Sequence, residues 1–261
     1  MLRSLSLGPG HRQLAFLLLS ISALAWLALW HWGESPYLHY IHHAHLPAIC
    51  SAHGALFDGT VFVAGWAVMT VAMMLPTSTP LIGIFSTVAR SRRDWPGLVS
   101  LVVAGYLVTW IAAGILAYGG ALLLSEGLAQ SAWLIKNDWI LNAAILLGAG
   151  AYQFSSLKYR CLDKCRSPFT FVMEHWTGTD HARQSLWLGV HHGLFCIGCC
   201  WTLMMLMLLI GAGNLGWMLL FGILMAIEKN VSWGRQFSKP LGIVLLMSGA
   251  LLLLSRMTIS I

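Results

Sequence analysis

Three cysteines, Cys196, Cys199 and Cys200, crowd the stretch "CIGCCW". Long apolar runs flank it, Leu186 to Leu194 before and Leu203 to Ile210 after. On an α-helix, residues three and four apart share a face. At roughly 100° per residue, His192, Cys196, Cys199 and Cys200 occupy one sector, with Met207 further along it. Three thiols and an imidazole on one stripe can converge on a single ion. Thiolates and thioethers select Cu(I), and clustered cysteines also suit zinc. Ligation would offset the cost of burying thiolates by neutralising them. Cys161 and Cys165, four positions apart from one another, precede this helix and can supply two more sulfurs. In "WAVMTVAMMLP", residues 66–76, Met69 and Met73 lie one helical turn apart on one face, with Met74 beside them, as further copper ligands.

Two other chemistries use the same residues. Free cysteine is a small, commonly buried apolar residue, so each thiol alone can be packing, and so can the methionines. Cys50 stands alone and fits that reading. The other five cysteines fall in two short clusters, which packing preference does not produce readily. Cys196-x2-Cys199 also has the spacing of a thiol-disulfide pair. Against a redox role stand the third thiol, one more than a dithiol needs, and a cytoplasmic placement where the reducing poise opposes stable disulfides.

The elements that carry these residues are set by composition. Hydrophobic residues make up 58% of the 261 positions and charged residues 9%, against roughly 25% charged in a soluble domain. Apolar runs near the ~20 residues that cross a bilayer recur along the chain. They fall at about 14–32, 60–82, 97–122, 139–156, 186–210, 215–229 and 240–256. The expectation is an all-α, multi-pass transmembrane bundle of about seven helices, residues 1–261 forming a single integral membrane domain. Trp26, Trp30 and Trp32 close the first span where a cleavable signal would carry small residues, and they suit an interfacial belt.

With the N-terminus cytoplasmic, Arg3, Arg12, Arg90, Arg92, Arg93, Lys158, Arg160, Lys164, Arg166, Arg183, Lys229, Arg235 and Lys239 fall inside, and only Lys136 and Arg256 outside. That asymmetry sets the orientation. The net charge of +6 is thus spread over cytoplasmic loops and calls for no nucleic-acid partner. No Gly-rich phosphate loop or Ser-His-Asp pattern points to an ATP-driven pump or a hydrolase. The outer loop 33–59 holds His39, His42, His43, His45 and His53, imidazoles that suit Cu(II), Zn(II) or Ni(II) or simply a solvated loop. Glu228 and Lys229 end the sixth span, where an adjacent pair can neutralise itself and Lys229 can snorkel.

Three blocks, "WAVMTVAMMLPTSTP" (66–80), "YQFSSLKYRCLDKCRSP" (152–168) and "GVHHGLFCIGCCWTLMML" (189–206), together with "MAIEKN" (225–230), resemble a bacterial family of predicted metal-binding integral membrane proteins of unknown function. The Cys-Cys-Trp block is the most specific part. The resemblance implies metal binding by Cys161, Cys165, Cys196, Cys199 and Cys200. The chain departs from the family in "SSLK", where a proline tends to precede Leu-Lys, and the histidine loop is not shared.

The residues and the resemblance together point to a bacterial cytoplasmic (inner) membrane protein that binds a soft metal, copper before zinc. Its work would be metal handling, delivery or assembly of a metalloenzyme client, a binding role more than an enzymatic one. The metal ligands expected are Cys196, Cys199, Cys200, Cys161, Cys165, His192, Met69 and Met73. The alternatives are a membrane thiol-disulfide oxidoreductase using Cys196 and Cys199, and a non-catalytic accessory subunit among other membrane subunits. To share one ion, Cys161 and Cys165 must fold inward, as a re-entrant turn packed against protein can.

Overall fold

A computed structural model describes residues 9–33, 55–129, 137–177, 180–210 and 214–259. The histidine loop and Cys50 lie outside the described residues. Among the described residues there are nine helices and no strand, so the all-α expectation holds. They are α1 (Pro9–Gly33), α2 (Ala55–Ala89), α3 (Trp95–Ala129), α4 (Asp138–Tyr152), α5 (Ser156–Arg166), α6 (Pro168–His175), α7 (His181–Ile210), α8 (Leu215–Asn230) and α9 (Gly234–Ile259).

The count of seven spanning helices is corrected. Five helices, α1, α2, α3, α7 and α9, are long and apolar enough to cross a membrane. A sixth span forms only if α4 and α5, bent by 61° at their junction, are taken as one. The bend is local chemistry: the Ser155 hydroxyl accepts from Lys158 N–H and caps α5 afresh, so α4 does not run on. The expected span at 215–229 is α8, of only 16 residues. That is ~24 Å of helix against a ~30 Å hydrocarbon core. The two helices beyond seven come from the segment 157–185, between the fourth and fifth expected spans. It folds into α5 and α6, each of which buries an adjacent apolar pair against the bundle, Cys161 and Leu162 on one, Phe171 and Val172 on the other.

Two features place α2 and α7 for the site. Pro76 removes an N–H inside α2, which leaves the Ala72 carbonyl without its helical donor. Ser22 Oγ at 2.7 Å and Trp26 Nε1 at 3.1 Å, both from α1, donate to that carbonyl instead. Hence α2 continues through the proline and α1 is pinned to it. α3 and α7 meet backbone to backbone at Gly105 and Gly189. A Cβ on Gly105 would strike the Leu186 carbonyl, and one on Gly189 the Val102 carbonyl. Glycine at such crossings lets helices approach closely. The outward faces are apolar: Phe16, Leu116, Leu123, Val244, Met247 and Leu254 are all exposed.

Candidate metal centre

One buried core collects sulfur. Cys161, Cys196, Cys199, Cys200, Met69, Met73, Met74, Met204, Met207, Met218 and Met225 belong to the same cluster, with Cys165 packed against it. The helical stripe expected on α7 is present, and Cys196, Cys199 and Cys200 are each at most 2% exposed. Cys199 is the hub: its thiol donates to the Cys196 carbonyl at 3.0 Å, and its electrostatic neighbours in the buried core are Cys165, Cys196 and Cys200. All five cysteines among the described residues are free thiols.

The pair on α5 does fold inward. α5 lies against α7, and the reason is Gly198. A Cβ there would sit 2.5 Å from Cys161 Sγ, so only glycine leaves room for the thiol. Tyr152, at the end of α4, donates its hydroxyl hydrogen bond to the Gly198 carbonyl. α5 is held from the other side by a buried ion pair. Lys158, fully buried, donates to both Glu228 oxygens at 2.7 and 2.9 Å and to the Gln153 side-chain carbonyl. Ser238 Oγ donates to the same carboxylate at 2.7 Å. Arg166 adds bonds to the Glu228 and Ser232 carbonyls.

Glu228 therefore does not neutralise its neighbour Lys229, as sequence adjacency implied. Lys229 turns into the core instead of snorkelling. Its ammonium lies 2.9 Å from Cys196 Sγ, 3.7 Å from Met74 Sδ and 3.5 Å from Thr77 Oγ1. Tyr106, on α3, brings its hydroxyl within 3.2 Å of Cys196 Sγ. Neither contact was legible from residue type and spacing.

The expected ligands differ in where they stand. Met74, one residue past Met73, is the methionine at the thiols, its Sδ 3.9 Å from Cys200 Sγ. Met69 and Met73 are buried in the same core, and Met73 packs against Gly222 and lines a pocket open toward α1 and α8. His192 is buried one turn before Cys196, with Nε2 3.1 Å from Ser78 Oγ and its ring stacked on Tyr106.

Among the described residues no group of three or more His, Cys, Asp or Glu is arranged to hold a metal ion as it stands. The cause is visible in the thiols. Cys199 and Cys200 both donate to the Cys196 carbonyl, at 3.0 and 2.8 Å. Ligation requires these two side chains to swing away from that carbonyl. The donor set itself is soft: thiols and a thioether in a dry core, the set that selects copper(I) over harder ions.

No curated protein and no solved structure matches the chain. A family model described as PpoB2, copper chaperone, matches residues 63–252, a stretch that runs from α2 into α9 and takes in Met69, Met73, Met74, the five clustered cysteines and Lys229. The chain belongs to the PpoB2 copper-chaperone family.

Proposed function

We propose that this protein spans a membrane and handles copper as cargo, taking the ion as Cu(I) into the sulfur core and passing it to a metalloenzyme client. The observation that carries the reading is the gathering of Cys161, Cys196, Cys199, Cys200 and Met74 in one buried core, with Cys165 packed against it and the Met74 sulfur 3.9 Å from Cys200 Sγ. Membership of a copper-chaperone family supports copper as the cargo. The five long apolar helices and their exposed leucines and phenylalanines support insertion in lipid. In this reading residues 1–261 form one membrane domain with the N-terminus and α5 on the cytoplasmic side of a bacterial inner membrane.

The residues that would hold the ion are Cys196, Cys199 and Cys200, joined by Cys165 and Cys161, with the Met74 thioether beside them as a further sulfur donor. Met69 and Met73 shape the core around them, and His192 orients Tyr106 more than it binds metal. Two or three thiolates complete a Cu(I) site, so five sulfurs allow the ion to move by exchange, one ligand leaving as another arrives. A chaperone needs that property, since it must release what it binds. Exchange explains why the thiols are gathered without a finished cage.

The test is copper retention by the full chain purified in detergent under reductant and loaded with Cu(I). About one ion per chain is expected. Cys199→Ser should remove most of it, because the hub is lost, whereas His42→Ala should leave it in place. A metal-free protein that instead carries a Cys196–Cys199 disulfide and cycles it with a quinone would replace this reading by an oxidoreductase.

A further inference from the structure

The sulfur centre leaves unused a second group of metal-binding side chains at the α6–α7 junction. His175 closes α6, and His191 stands on α7 immediately before His192. Their rings are 5.1 Å apart, centroid to centroid, and tilted by 47°. Both line a pocket of about 270 Å³ together with Asp180, Arg183 and Trp187. His175 Nδ1 lies 2.9 Å from the Phe171 carbonyl. A carbonyl only accepts, so Nδ1 carries the hydrogen and Nε2 keeps its lone pair. His191 Nδ1 is buried and has no hydrogen-bond partner among the described residues.

We propose that His175 and His191 form a two-coordinate copper(I) site through which the ion reaches or leaves the sulfur centre. Metal–imidazole bonds of ~2.0 Å put the centroids of two rings sharing an ion about 5 to 6 Å apart, from tetrahedral to linear angles at the metal. The observed 5.1 Å lies at the tetrahedral end of that interval, so a bent two-histidine site needs little movement of α6 against α7, and a linear one needs the rings to part by about 1 Å. Two donors suit a monovalent ion in transit. Asp180 is already engaged, accepting from the Arg183 backbone N–H at 3.3 Å, and the Arg183 side chain in the same pocket repels a divalent ion more than a monovalent one. The site is weaker than three thiolates, and passage rather than storage requires that order of affinity.

A continuous cluster of rings joins the two places. Phe171 stacks on His175 at 4.4 Å and meets His192 edge-on at 5.9 Å. His192 stacks on Tyr106 at 5.5 Å, and the Tyr106 hydroxyl touches Cys196 Sγ. His191 and His192, consecutive on one helix, therefore face the pocket and the core respectively.

The proposal takes copper as the cargo from the reading above, but it does not depend on which sulfurs hold it. The test uses the full chain in detergent and Cu(I) delivered from its bicinchoninate complex without oxygen. His175→Asn preserves a donor for the Phe171 carbonyl while removing Nε2, and is combined with His191→Ala. With all cysteines present, this double variant should load the sulfur centre about tenfold more slowly and reach the same final copper content. In a protein with Cys161, Cys165, Cys196, Cys199 and Cys200 replaced by Ser, one weak Cu(I) with nitrogen-only ligation should remain. The double variant should weaken it by about tenfold or more. Loading at the parental rate by the double variant overturns the proposal, as does a folded thiol-free protein that binds no Cu(I) through nitrogen. If the thiol-free protein fails to fold, the loading rate alone decides. Nitrogen-bound copper in the thiol-free protein, with none bound by sulfur in the parent, would sink the sulfur centre and leave this site standing.

Discussion

Lys158 and Lys229 are both buried, and their partners differ in kind. Lys158 faces a carboxylate that is itself satisfied by Ser238, inside a closed set of hydrogen bonds joining α5, α8 and α9. Lys229 faces a thiol, a thioether and a hydroxyl. The first ammonium has a permanent counter-charge, so it can only hold the fold. The second has soft, exchangeable neighbours, so whatever binds the sulfurs must also contend with its charge. Holding the fold and, in the proposed function, handling cargo thus fall to residues that share one small region of the bundle, because Glu228 and Lys229 are consecutive and point apart.

The largest test of that difference removes Lys158. Lys158→Met strands the Glu228 carboxylate in the core and should cost about 3–5 kcal/mol, read from denaturant unfolding in detergent. Adding Glu228→Leu should restore most of it, since a buried pair can be replaced by apolar groups at little cost. Gly198→Ala comes next. Its Cβ overlaps Cys161 Sγ and should cost about 1–3 kcal/mol by overpacking. It should also lower the copper bound, as α5 is pushed off α7. Lys229→Met should cost less than about 1 kcal/mol, because no carboxylate is abandoned and methionine suits a sulfur-rich core. A loss as large as that of Lys158→Met would make the two lysines equivalent and end the comparison. The smallest effect belongs to the solvated bridge between Lys164 and Glu174, 2.7 Å long with both side chains over 40% exposed. The hydrogen bond from Lys164 holds the Glu174 carboxyl below its usual range. A depressed value stabilises above the unfolded value and is lost as pH falls through the folded one. Water screens this pair, so Glu174→Gln should leave the melting temperature unchanged at neutral pH.

Much of the centre was legible because it lies along one helix. Cys196, Cys199, Cys200 and His192 follow from helical spacing alone, and α7 keeps that spacing. The inward fold of Cys161 and Cys165 could be anticipated as a requirement, but its means, Gly198 and the Lys158–Glu228 pair, join residues far apart in the chain. Local adjacency misled for Glu228, whose true partner lies seventy residues away. Met74 replaces Met73 beside the thiols because neighbours on a helix differ by about 100°, and how α2 is rolled depends on its contacts with α1 and α3. The number of spans was overread for a similar reason. Apolar length cannot show the fresh N-cap at Ser155 that separates α4 from α5, nor that α8 stops at 16 residues.

The central claim is that copper is held by the sulfurs gathered round Cys199. X-ray absorption at the copper edge, on the full chain loaded with Cu(I) under reductant, tests it most directly. Two or three sulfurs at about 2.2–2.3 Å, the thiolate range, are expected around the copper. Cys199→Ser should collapse that arrangement. Nitrogen or oxygen neighbours alone, unchanged by Cys199→Ser, would show that copper is not held by these sulfurs.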